Sequence, residues 1–189
     1  MKKIFLIAFI LLMACNMYYS LTYKGDIRTP YYEFKNRIGT APMNIYRDSD
    51  FGFTVEYPNF FQQEEEKEKK DYLGHARFVY SDEVNIALEC YVTPNRSGNL
   101  EVCADSLAQK LHANKTMISS NTDKQNSAFI LSGPVYENEV IVDGYSHYDK
   151  FIKSGKILFV YSLTYPDTYK PALTRLFQTI DNWKVLGAY

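Results

Sequence analysis

The order of its elements predicts an α+β fold: an antiparallel β-sheet flanked by helices on both faces. Three observations carry this. Segments of period-two alternation dominate the chain, as in Phe53-Thr54-Val55-Glu56-Tyr57. Two stretches with helical spacing interrupt or follow them, at Leu100–Leu111 and at Tyr169–Ile180. The third is a run apolar at every position, Ile157-Leu158-Phe159-Val160-Tyr161. A strand of that kind must be covered on both faces. The tyrosine content points the same way: 17 Tyr against 12 Phe and 1 Trp. Tyrosine favours strands, where its ring is shielded and its hydroxyl reaches water.

Three regions follow along the chain: residues 1–14 as a signal peptide, 15–43 as a lipidated N-terminus and tether, and 44–189 as the folded domain. Lys2-Lys3 precede an apolar run from Ile4 to Met13, and Ala14-Cys15 follow. The run is shorter than the ~20 residues a membrane-spanning helix needs. Leu12-Met13-Ala14-Cys15 has the form of a lipobox, with an aliphatic and a small residue before cysteine. Cleavage before Cys15, a diacylglycerol on its thiol and an acyl group on its new amino terminus would attach three chains, enough for permanent anchoring. Asn16 stands where an aspartate would retain the protein at the inner membrane, which favours the outer one. Asn16 to Met43 shows no sustained period and reads as a tether.

Within the domain, Gly52–Pro58 reads as a strand closed by Pro58. The Glu- and Lys-rich stretch Gln62–Asp71 reads as a solvated loop or short exposed helix. His75–Tyr80 and Val84–Val92 are strands around Ser81-Asp82-Glu83. Thr93–Asn99 is a loop, and Asn99 suits the N-cap of the helix Leu100–Leu111. Ala128–Tyr136, Val140–Ile152 and Lys156–Tyr165 form a meander with turns at Glu137-Asn138 and Ser154-Gly155. Pro171 fits the first turn of the last helix. Trp183 closes the rim.

These features resemble the PsbP-like (Mog/PsbP) fold family over Asn44–Val185. The opening Gly52-Phe53-Thr54-Val55-Glu56-Tyr57-Pro58 is similar to the family's first strand. The middle helix at Leu100–Leu111 and the ending, a two-faced strand, Tyr165-Pro166 and a helix, also match. The family includes thylakoid-lumen subunits that assist the water-oxidising complex, a nuclear-transport factor and bacterial lipoproteins. The resemblance implies binding or assembly of macromolecules without catalysis. No plant-type metal- or photosystem-binding residues can be matched here.

The chemistry-bearing residues are few. Net charge is −1, which gives no footprint for nucleic acid. Cys90 and Cys103 lie on the apolar faces of their strand and helix, and are expected in one core. They form a disulfide in an oxidising compartment or stay as two buried thiols, and the sequence leaves both open. His75, His112 and His147 lack metal-site spacing, so no metal and no cofactor is expected. Tyr145, His147 and Asp149 share a strand face and form a candidate ligand-binding surface. No nucleophile elbow or phosphate loop is present.

The expected role is therefore a lipid-anchored, non-catalytic accessory or binding protein of the bacterial cell envelope, working with another envelope protein. The alternatives are a lipoprotein binding a glycan or small ligand, and a hydrolase with a site around His147 and Asp149.

Overall fold

The computed structural model describes residues 30–64, 72–80, 84–95, 97, 99–118 and 128–185. Cys15 and the whole signal segment lie outside them. The chain divides into two compact units, Met1–Arg37 and Ile38–Tyr189. In the first, the described residues open a helix, α1 (Pro30–Thr40), with proline at its first position, where a missing N–H costs nothing. A helix thus occupies the end of the segment read as a tether. Its last turn belongs to the second unit, where Ile38 and Ala41 are buried.

The second unit begins with a two-stranded ribbon, β1 (Met43–Arg47) and β2 (Thr54–Pro58). Asp48 builds the turn between them. Its Oδ1 accepts from the Asp50 and Phe51 amides at 3.0 and 2.7 Å, and Gly52 takes a φ of +66°.

Among the described residues, the remaining strands form one antiparallel sheet of seven, ordered β3-β4-β5-β9-β8-β7-β6. They are β3 (Gln62–Glu64), β4 (Gly74–Val79), β5 (Ala87–Pro94), β6 (Asn114–Ile118), β7 (Ala128–Glu137), β8 (Val140–Ser154) and β9 (Ile157–Pro166). The expected two-faced strand, β9, sits in the middle. Val160 and Leu158 point to one face, Phe159, Tyr161 and Leu163 to the other, and all five are buried.

The first face carries α2 (Leu100–Lys110), capped as expected by the Asn99 side chain on the Glu101 amide at 2.8 Å. Cys103 and Ala104 of α2 pack with Phe129, Leu131, Phe151, Leu158 and Val160. Phe129 and Phe151 are direct cross-strand partners, stacked at 4.7 Å.

The second face is covered by the β1–β2 ribbon and by the C-terminal helices. Phe53 meets Phe159 edge-on at 6.0 Å, and Tyr57 stacks on Phe78 at 3.9 Å. Tyr161 Oη donates to the Glu56 carbonyl at 2.6 Å, and Trp183 Nε1 donates to that of Thr54 at 2.7 Å. Phe177 packs against Tyr148 and Tyr165. The fold is the predicted α+β sandwich, with the ribbon sharing the second cover.

Several local expectations change. The C-terminal helix is two pieces, a 3-10 helix (Asp167–Ala172) that holds Pro171, then α3 (Thr174–Asn182). Leu173, at φ −91° and ψ 6°, separates them. The charged stretch after Phe61 opens with a strand, β3, where Glu64 pairs with Arg77 at 2.9 Å; residues 65–71 lie outside the description. Both hairpin turns sit one residue later than expected, at Asn138-Glu139 and Gly155-Lys156. β6 is a strand that the sequence reading does not contain, because its alternation is weak.

Candidate functional site

Helix α2 covers only part of the first face. Beyond it, the register lays a polar row straight across the sheet: Glu64, Arg77, Glu89, Ser162 and Asp149 are successive partners. Glu89 Oε1 is 2.7 Å from His75 Nε2, and Glu89 Oε2 is 3.8 Å from Arg77. Ser162 Oγ donates to Asp149 Oδ1 at 2.5 Å, and His147 Nδ1 lies 2.8 Å from Asp149 Oδ2.

The predicted residues His147 and Asp149 therefore meet. They are buried, at 8 % and 6 % exposure, and do not lie on an open surface; Tyr145, two residues before His147, is half-buried. Nδ1 of His147 faces Asp149, and its other ring nitrogen, Nε2, is buried with no partner among the described residues. A nucleophilic relay needs the serine hydroxyl on the imidazole and the carboxylate behind it. Here the hydroxyl and the imidazole both bond to the carboxylate. Ser162 was legible only as a small residue in a two-faced strand; its place beside Asp149 depends on strand pairing.

Cys90 and Cys103 do not share a core. Cys90 is the partner of Tyr161 and points to the second face, whereas Cys103 packs on Val160 and Leu158 at the first. Both thiols are free, and the sheet stands between them. The expectation failed because a sheet covered on both faces has two cores, and apolar alternation does not say which one a strand residue joins. Burial pushes both thiols up, Cys90 far more.

Between α2 and the sheet lies an open cavity of about 810 Å³. Phe151 and Leu158 form part of its floor, Cys103 and Leu107 part of its roof, and neither His147 nor Asp149 lines it. Tyr72 and Tyr91 also line it, stacked at 4.2 Å. Burial, followed by the nearby carboxylates, raises both phenols above their ordinary range. Among the described residues, no group of three or more His, Cys, Asp or Glu could hold a metal.

No family model matches the sequence, and no curated protein matches it. Solved structures do. The solution structure of cyanobacterial PsbP (CyanoP) from Synechocystis sp. PCC 6803 superposes with a TM-score of 0.52 at 13 % identity, over 78 % of this chain and 95 % of that one. A protein of unknown function from Pseudomonas aeruginosa, described as a putative regulator, aligns at 14 % identity with a TM-score of 0.41, over 78 % of this chain and 99 % of its own. The seven-stranded antiparallel sheet, its covered faces and the similarity to CyanoP together establish that this chain has the PsbP-like fold.

Proposed function

We propose that this chain is a lipid-anchored, non-catalytic binding protein of the bacterial cell envelope, held through Cys15 and serving a protein partner or an assembly. The carrying observation is the succession Lys2-Lys3, apolar Ile4–Met13, Ala14-Cys15. The polar row supports the absence of catalysis. Its hydroxyl and imidazole are both tied to Asp149, so no activated nucleophile is assembled there. In this reading attachment rests on the lipid carried by Cys15. Mass spectrometry of the protein from its native membrane tests the anchor: a mature chain beginning at an acylated Cys15 is expected, and Cys15→Ala should accumulate uncleaved. An intact Met1, or a mature start elsewhere with no acyl mass, overturns it. Crosslinking in intact cells tests the partner, with a reproducible envelope protein on the domain as the expected result.

A further inference from the structure

We propose that the cavity beneath α2 binds a small amphiphile of the fatty-acid class: an elongated apolar body ending in a carbonyl or carboxylate oxygen. This is independent of the anchor and holds whether or not Cys15 is acylated.

Size and shape come first. At about 810 Å³ the cavity falls in the ~300–1,000 Å³ range of small-molecule sites. Its lining follows α2 from Val102 to Leu111, a rise of roughly 13 Å at ~1.5 Å per residue. A slot of that length, walled by Leu107, Phe151, Leu158 and the Tyr91 ring, suits a chain better than a compact polar solute.

The polar end is Asn95. Its amide N–H is fixed to the Lys156 carbonyl at 2.7 Å, and its Oδ1 accepts from the Ser97 amide at 3.0 Å. That second bond sets which way the side-chain amide faces, because a flipped group would turn N–H toward N–H. Nδ2 is therefore the atom left over. It is buried and has no acceptor among the described residues, while Asn95 lines the cavity. A buried donor of this kind is costly until an acceptor arrives. Among the described residues lining the cavity, the one charged side chain, Lys110, belongs to the far end of α2, so the head at Asn95 is recognised by hydrogen bonding.

The test uses the full-length chain in phospholipid nanodiscs, photolysed with dodecanoate carrying a terminal diazirine, with labelled residues mapped by mass spectrometry. Saturable labelling of α2 or of the Phe151–Leu158 segment is expected. Dodecanoate and methyl dodecanoate should compete, separating acid from ester, whereas dodecyltrimethylammonium, which has the chain but no acceptor, should compete about tenfold less well. Asn95→Ala should weaken dodecanoate about tenfold, one hydrogen bond's worth. Leu107→Trp should fill the cavity and abolish the label; Ser106→Trp does so from the edge, should the first variant fold poorly. Label that never saturates or maps elsewhere overturns the proposal, as does label unchanged in a tryptophan variant with native circular dichroism. Equal competition by the ammonium would mark an apolar void without head recognition and overturn the assignment too.

Discussion

Lys150 is a buried cation in the middle of the second face, at 5 % exposure. Its ammonium donates to the carbonyls of Asp181 and Trp183 at 2.5 and 2.8 Å, and so ties the end of α3 to β8. Burial lowers its proton affinity, partly offset by Asp181. Lys150→Met removes both bonds and strands two carbonyls at a helix end. It should destabilise the domain by about 1–3 kcal/mol, read from urea unfolding. Buried acids give the opposite handle. Burial raises the Cys90 thiol from its ordinary 9.0, and the Tyr91 and Tyr161 phenols from 10.0. The folded chain keeps protons that the unfolded chain releases, so this stabilisation is complete below pH 9 and is lost as pH rises towards the folded values. The melting temperature should fall steadily from pH 9 to 11, and Cys90→Ala should flatten the first part of that fall. A flat profile over the whole range would contradict the burial of these groups.

Helix α2 was legible because its signals are local: an N-cap, an acidic first turn and an apolar stripe all lie within the helix and the residue before it. β6 was not, because its Asn114-Lys115-Thr116-Met117-Ile118 alternates too weakly to be a strand alone. It exists because β7 offers a ladder to an edge. The split of the last helix follows from Pro171, which the shorter 3-10 turn holds before α3 begins at Thr174. The β7–β8 turn carries a local conflict. Asn138 and Glu139 both adopt positive φ, +50° and +67°, which asparagine tolerates and glutamate does not. Glu139→Gly should therefore raise stability by about 1 kcal/mol in thermal or denaturant unfolding, with the fold unchanged by NMR.

At the scale of the molecule, one sheet divides two cores. Leu131 and Val160 belong to the core under α2, Leu163 and Phe159 to the core under the ribbon and α3. Strand periodicity showed that faces exist; strand order and register decided what each face gathers. That is why the row Glu64–Asp149 and the separation of Cys90 from Cys103 were out of reach of the sequence, whereas the pairing of His147 with Asp149, two residues apart on one strand, was within it. Leu131→Ala and Leu163→Ala should each cost about 2–5 kcal/mol. Their double mutant should be additive within about 0.5 kcal/mol, because no side chain is shared across the sheet. A larger coupling measured by chemical denaturation would mean that the two cores yield as one.

The outermost strands have their own consequence. β3 is three residues of exposed Gln-Gln-Glu, and β6 is five residues whose Lys115 is engaged by Asp105 of α2. Among the described residues, neither border offers a long greasy ladder for a neighbour to extend. These two stretches would therefore make poor templates for border-to-border growth when copies are crowded together.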